Sequence, residues 1–199
     1  MQVVNFRQMK DGTKEEYHFL EGLEDEFQKQ LPDRIMKELA DLEEGLTGYR
    51  VNRLEHSLIS ATMAEADGAD LDWIVAALVH DIGDGLAPKN HDSIASAIIA
   101  PYVREECTWV LKTHGIFQMV YYAHHFDDDP YARDKYKDHP LYQKAIDFCE
   151  FWDQSAFDPD FEYKPLEYWR PMVEEVFSRK AWDPAILQSG VEMPLRAAA

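Results

Sequence analysis

One short run of the sequence is apolar at nearly every position and ends in a histidine and an aspartate. Residues 71–79 read LDWIVAALV, and His80 and Asp81 follow directly. A helix that is apolar on nearly every face belongs in the middle of a domain, because none of its sides can favourably face water. A charged aspartate at the end of such a helix is costly unless it is paired or bound to a metal ion. The run therefore predicts a central helix with two potential metal ligands at its C-terminal end.

Helical periodicity extends over most of the chain. Apolar residues recur at helical spacing, and few segments alternate with period two, which indicates an all-α fold. The predicted helices cover residues 13–30, 32–43, 52–67, 92–103, 105–122 and 140–156. A chain of 199 residues suits one compact core, so residues 1–199 are expected to form a single domain. Within it we expect N-terminal helices over 13–43, a motif-bearing core over about 45–160, and short helices and loops over 160–199.

The chain is strongly acidic. It has 20 Lys and Arg residues against 38 Asp and Glu residues, which gives a formal net charge of −18. Such a surface repels phosphate backbones and anionic lipid headgroups, so neither nucleic acid nor a membrane surface is an expected partner. The first residues show no signal-peptide pattern. Cys107 and Cys149 lie in apolar helical patterns that indicate buried, reduced thiols, which favours a cytoplasmic protein.

Four further residues extend the potential ligand set beyond His80 and Asp81. They are His56, His91, His114 and Asp153, and they fall on or beside predicted helices. Taken singly, a histidine on an apolar face is more often a core residue that has found a hydrogen bond. Together the six residues supply four imidazoles and two carboxylates, which is too many for one small ion and suits two ions that share a bridging carboxylate. Iron, manganese and zinc all accept such ligands.

Five short motifs carry a resemblance to a known superfamily. They are LEHSL at residues 54–58, ALVHDIG at 77–83, NH at 90–91, HG at 114–115 and WDQ at 152–154. In this order they resemble the HD-domain superfamily and, among its dinuclear members, the mixed-valence di-iron oxygenases. That group includes myo-inositol oxygenase and bacterial oxygenases that cleave 1-hydroxy-2-aminoalkylphosphonates. The resemblance covers roughly residues 45–160 and implies a helical bundle around a dinuclear metal site.

The resemblance implies a role for each potential ligand. His56, His80, Asp81 and Asp153 would hold one iron ion, His91 and His114 would hold the second, and Asp81 would bridge the two. It also implies an oxidoreductase with two iron ions, Fe(II) and Fe(III), and no catalytic residue beyond the metal ligands. The small phosphonate-cleaving enzymes are the closest likeness. They imply phosphonate catabolism, in which O2 is used to cleave the C–P bond of a 1-hydroxy-2-(amino or trimethylammonio)alkylphosphonate.

Three positions depart from the phosphonate-cleaving pattern and concern the substrate. Asp84 stands where those enzymes have a histidine, Gln118 where they have a lysine, and Tyr49 where a glutamate contacts the substrate amine. Asp84 adds a negative charge that would repel a phosphonate, whereas Tyr49 could bind a quaternary ammonium group through a cation–π contact. These three residues and Lys89 are the predicted substrate-binding residues. Lys89 and Arg53 could hold an anionic group, although a surface or supporting charge is the commoner role.

Two other functions stay open at the level of the sequence. The first is a metal-dependent phosphohydrolase, because most HD-domain proteins hydrolyse phosphate esters with a metal-activated water. The second is a non-catalytic metal-binding domain. The expected partners are a small-molecule substrate and O2. The chain is expected to be a monomer or a homodimer, with exposed aromatic residues near Tyr163, Tyr168 and Trp169 available for a dimer contact.

Overall fold

The computed structural model describes residues 2–197, which form helices joined by turns and loops, with no strand among them. The α-helices are α1 (Lys14–Gln28), α2 (Leu31–Asp41), α3 (Arg53–Ala66), α4 (Leu71–Val79), α5 (His91–Ile99), α6 (Glu105–Tyr122), α7 (Tyr142–Phe148), α8 (Leu166–Phe177) and α9 (Pro184–Leu187). A turn of π-helix, Cys149–Asp153, continues α7. The prediction of an all-α fold is confirmed.

The centre of the fold is α4, as its sequence predicts. Its residues from Asp72 to Val79 are all buried, and the helix packs against α3, α6 and α8. Asp70 caps the helix by accepting a hydrogen bond from the backbone N–H of Trp73 at 3.2 Å. The fully buried indole of Trp73 lies near the rings of Phe148 and Trp152. Burial of large aromatic rings is a major stabilising contribution to such a core.

The helices around α4 pack against one another near its C-terminal end. α3 begins at a capping box, in which the side chains of Asn52 and Glu55 each accept a hydrogen bond from the other's backbone N–H. α6, with 18 residues, packs against α5, α4 and α7, and α3 packs against the π-helical turn. Each of these elements therefore brings part of its surface to the C-terminal end of α4.

The C-terminal part of the chain differs from its prediction. In addition to the short α9 it contains α8, which has 12 residues and continues through Pro171. The helix buries an apolar face that includes Trp169 and Val173, and this burial outweighs the helix-breaking tendency of proline. Trp169 is fully buried and is not available for a dimer contact, whereas Tyr168 is 42% exposed.

The expectation for the two cysteines can be compared with the fold. Cys107 and Cys149 are both free and buried, as their apolar neighbours predict. Burial raises the pKa of both thiols, because a thiolate is poorly solvated in the core. Within residues 2–197, none of the helices is long and apolar enough to cross a lipid bilayer.

Candidate metal centre

Six side chains converge on the interior region beside the end of α4. His56 lies on α3, His80 and Asp81 follow α4, His91 begins α5, His114 lies on α6, and Asp153 ends the π-helical turn. Five of the six residues are at most 4% exposed, and the side chain of His91 is 22% exposed. The fold thus brings together all six residues that the sequence predicts as metal ligands.

Each of the four imidazoles is oriented by a backbone carbonyl group. Nδ1 of His56 lies 3.1 Å from the carbonyl oxygen of Ala156, and Nδ1 of His80 lies 2.8 Å from that of Ala77. Nδ1 of His91 lies 2.9 Å from the carbonyl oxygen of Pro88, and Nδ1 of His114 lies 2.7 Å from that of Leu111. A carbonyl oxygen can only accept, so we assign the ring proton to Nδ1, which leaves Nε2 with its lone pair. Metal-binding histidines are commonly oriented in this way.

The four Nε2 atoms form two close pairs, with Asp81 between them. The Nε2 atoms of His56 and His80 are 3.0 Å apart, and those of His91 and His114 are 3.2 Å apart. Oδ2 of Asp81 lies 3.7 and 3.6 Å from the first pair, respectively. Oδ1 lies 3.3 and 3.5 Å from the second pair, respectively. The two oxygens of one carboxylate therefore lie close to different pairs of imidazoles, which is the arrangement that a bridging ligand needs.

Asp153 completes the side of the site formed by His56 and His80. Its Oδ1 lies 3.3 Å from Nε2 of His56 and 3.6 Å from Nε2 of His80. Its Oδ2 is buried and has no hydrogen-bond partner among the described residues. Such an unpaired buried oxygen is costly, and a metal ion would supply the missing partner. Asp153 lies in a π-helical turn, a local distortion that is frequent at functional sites.

The charges of the site attract a cation. Burial alone would lower the pKa of His80, but Asp81 and Asp153 outweigh it and raise that pKa to about 9. Burial alone would raise the pKa of both carboxyl groups, but the nearby imidazoles, His80 foremost, lower them. The six residues fall into three overlapping groups whose ligand atoms lie within 4.8 Å of one another. This donor set fits iron, manganese or zinc.

A cavity of about 660 Å³ leads to the site. Part of its wall consists of Asp81, His91, His114 and Asp153. The other lining residues are mostly aromatic or polar: Tyr49, Arg53, Gly115, Gln118, Tyr121, Tyr122, Phe126, Gln154 and Phe157. A cavity of this size accommodates a small organic molecule. The cluster of potential ligands is therefore accessible from outside and is not sealed in the core.

Of the four predicted substrate-binding residues, two line the cavity and two are not among its described lining residues. Tyr49 and Gln118 line the cavity. Asp84 is buried and is not among the described residues of the cavity wall, and its carboxylate lies 2.8 Å from Nε of Arg53. Lys89 is exposed and is not among the described residues of the cavity wall. Arg53, for which the sequence favours a supporting role, lies in the wall itself.

The aromatic part of the wall is only partly visible in the sequence. Tyr121 and Tyr122 follow His114 by seven and eight positions on α6, so helical spacing places them about two turns further along the same side of the helix as His114. Phe157 follows Asp153 by four positions but lies past the π-helical turn, where helical spacing no longer applies. Its ring centroid nevertheless lies 4.4 Å from that of His56. Only the tertiary packing places this ring over the site.

Comparison with known proteins agrees with the site. A family model described as the HD domain matches residues 53–150, which include His56, His80, Asp81, His91 and His114. Asp153 lies just beyond the matched residues. A search of the curated proteins finds no match to this chain. Proteins with HD domains are in general metal-dependent enzymes, in keeping with a buried cluster that could hold metal ions. The chain therefore contains an HD domain at residues 53–150, folded as an all-α bundle around that cluster.

Proposed function

We propose that this protein is an O2-dependent di-iron oxygenase that acts on a small hydroxylated phosphonate. The observation that carries the proposal is the position of Asp81, whose two oxygens face different pairs of imidazoles. A single metal ion would need only one of these pairs. The second pair, His91 and His114, has no need to converge on the same carboxylate unless a second ion is held there.

In this proposal the six residues supply two ligand sets. His56, His80, Asp81 and Asp153 would hold one ion, and Asp81, His91 and His114 would hold the other, in keeping with the distances of Asp81 and Asp153 to the imidazoles. Two iron ions would supply a Lewis acid for the substrate hydroxyl group and redox chemistry with O2, whose reduction draws its electrons overall from the substrate. Both imidazoles of the second set line the cavity, whereas those of the first set, His56 and His80, are not among its described lining residues, and Asp153 is the one residue of the first set alone that lines it. The substrate would therefore approach from the side of His91 and His114.

The cavity suits a substrate with a methylated ammonium group. Tyr49, Tyr122, Phe126 and Phe157 contribute aromatic rings to the wall, and Tyr and Phe rings attract quaternary ammonium groups. The ring of Phe157 also covers His56 and helps to exclude water from the buried end of the site. These contacts support a 1-hydroxy-2-(trimethylammonio)alkylphosphonate as the substrate, with the 2-amino analogue as a second possibility.

The proposed reaction has a fixed stoichiometry. The C–P bond of the 1-hydroxyphosphonate breaks, C1 is oxidised to a carboxylic acid, and phosphorus leaves as phosphate. One molecule of O2 is consumed for each substrate cleaved, and its two oxygen atoms balance the two products. Phosphate release without O2 consumption would belong to a different reaction.

A metal-dependent phosphohydrolase is the second candidate, and the HD domain itself favours it. The same residues would hold the ions, and a metal-activated water would attack the phosphate ester. Among the described residues of the cavity wall, Arg53 is the one Lys or Arg side chain. One such cation suits a single oxyanion and is a poor match for the polyphosphate chain of a nucleotide. A phosphohydrolase at this site would therefore act on a small monoester.

Metal analysis together with O2 uptake tests the proposal. The protein is purified anaerobically, its metal content is measured, and low-temperature EPR spectra are recorded after partial oxidation. O2 consumption and phosphate release are then followed with 1-hydroxy-2-(trimethylammonio)ethylphosphonate. The matched control substrate is 2-(trimethylammonio)ethylphosphonate, which lacks the C1 hydroxyl group. We expect about two iron ions per chain, a mixed-valence signal that shifts on addition of substrate, and one O2 per phosphate with the hydroxylated compound only.

The opposite result would favour the phosphohydrolase. Protein reconstituted with iron that gives no mixed-valence signal and consumes no O2 with these compounds is not the proposed oxygenase. Hydrolysis of a phosphate monoester by the zinc or manganese form would then identify the second candidate.

A further inference from the structure

Arg53 occupies a distinctive place in the cavity wall. It is the first residue of α3 and precedes His56 by three positions, so it lies on the same side of the helix as that ligand. Its side chain is 16% exposed and lines the cavity. No other Lys or Arg side chain is found among the described lining residues. Any anionic group that enters the cavity therefore meets this one guanidinium.

Three neighbours fix the guanidinium of Arg53. Nε lies 2.8 Å from Oδ2 of Asp84, and Nη1 lies 3.3 Å from Oδ2 of Asp81. The ring of Tyr49 lies with its centroid 5.1 Å from Cζ of Arg53. Among the described residues, Nη1 alone makes a hydrogen bond, to Asp81, because the contact between Nε and Asp84 is a close ion pair without hydrogen-bond geometry. A guanidinium that is held by two carboxylates and a ring, and that still has N–H groups without hydrogen-bond partners, is pre-organised to bind a ligand, because little rotamer entropy remains to be lost.

Asp84 has no visible role other than to orient Arg53. Its side chain is 8% exposed and stands outside the cavity wall. The nearest histidine nitrogen is Nδ1 of His91, at 3.9 Å, and that atom already lies 2.9 Å from the carbonyl oxygen of Pro88. The negative charge of Asp84 is thus offset by Arg53.

We propose that Arg53 binds the oxyanion of the substrate and that Asp84 positions its guanidinium for this contact. The inference rests on the proposed function, because it assigns the phosphonate end of the substrate to one wall of the same cavity. Arg53 also lies beside Oδ2 of Asp81, so an oxyanion bound there is next to the metal-binding cluster. The rings of Tyr121, Tyr122 and Phe126 remain for the other end of the molecule.

Binding of a simple anion tests the inference without any turnover. Inorganic phosphate is titrated into the metal-loaded protein by calorimetry, and the metal content of every variant is measured. We expect Arg53→Gln to weaken phosphate binding by about 10-fold or more, since a charge-assisted contact is lost. Asp84→Asn should weaken it by a smaller factor, because the guanidinium keeps its charge but loses its anchor. Arg53→Lys should lie between Arg53→Gln and the unchanged protein.

The matched control is Arg50→Gln, which makes the same substitution at an exposed arginine outside the described cavity wall. It should leave phosphate affinity unchanged. Undiminished phosphate binding by Arg53→Gln would overturn the inference, and so would a loss of metal from that variant, which would make Arg53 a support for Asp81 alone. Since the titration needs neither O2 nor catalysis, phosphate binding that depends on Arg53 in a protein without oxygenase activity would refute the proposed function and leave the anion site standing.

Discussion

The imidazoles of His56 and His80 direct their Nε2 atoms at each other across 3.0 Å. Both Nδ1 atoms face backbone carbonyl oxygens, so with neutral rings two lone pairs would meet at this distance. Asp153 adds a carboxylate oxygen 3.3 Å from one of them. Such a convergence of acceptors is stable only when a positive charge is present, and a bound metal ion supplies it more completely than a proton can.

Metal binding should therefore stabilise the fold. A ligand that binds only the folded state adds about 2.7 kcal/mol at 100 times its Kd. For a chain of this size that corresponds to a rise in Tm of about 5–10 °C. Differential scanning calorimetry of the chelator-treated protein, before and after addition of iron(II) under anaerobic conditions, measures the shift. An unchanged Tm at saturating metal would contradict a metal-binding cluster in the core.

The second ligand pair makes the prediction that bears most directly on a dinuclear site. His91→Ala and His114→Ala should each lower the metal content from about two ions toward one per chain, because each removes an imidazole from the set that shares Asp81. O2-dependent turnover should be lost in both. Plasma emission spectrometry gives the metal content, and circular dichroism checks that the helices are retained.

The control for this experiment is His18→Ala, since the side chain of His18 is 64% exposed and lies on α1, far in sequence from the cluster. Its metal content should equal that of the unchanged protein. If both His91→Ala and His114→Ala keep two ions, the dinuclear assignment is incorrect.

A buried ion network away from the cavity should be sensitive to loss of one of its cations. Arg104 lies 2.7 Å from Asp70, 3.2 Å from Asp72 and 3.0 Å from Glu106. Arg104→Met would remove one cation from this network, while Asp72 keeps Arg179 and Glu106 keeps Lys144. The lost charge-assisted hydrogen bonds should lower the free energy of unfolding by about 1.5–3 kcal/mol. Urea denaturation measures this value. Arg170→Met is the control, because its pairs are exposed and such pairs contribute about 0–1 kcal/mol. Equal effects of the two substitutions would refute the argument.

The two cysteines should be unreactive in the native protein. Burial raises the pKa of Cys107 and Cys149, so neither forms appreciable thiolate near neutral pH, and neither is accessible. Ellman's reagent at pH 8 should detect almost no thiol before unfolding and about two per chain in urea. Rapid reaction of one thiol in the folded protein would mean that the π-helical turn or α6 opens locally.

Much of the fold follows from local sequence. The apolar run of residues 71–79 determines that α4 is central, and the capping residues Asn52 and Asp70 determine where α3 and α4 begin. The histidines and aspartates of the motifs can be proposed as one cluster from the sequence alone, because buried charged groups need partners. That these residues bind metal ions remains a prediction, although the fold brings all six together.

Tertiary structure alone decides how the side chains meet. Helical periodicity does not reveal that Asp84 pairs with Arg53, or that the ring of Phe157 covers His56. It also does not reveal that Trp169 is buried by α8. The sequence by itself determined most of the helices and the residue types of the cluster, since helical periodicity and residue identity are both local properties of the chain. The division of the two oxygens of Asp81 between two imidazole pairs depends on the packing of α3, α5 and α6, which no local pattern encodes.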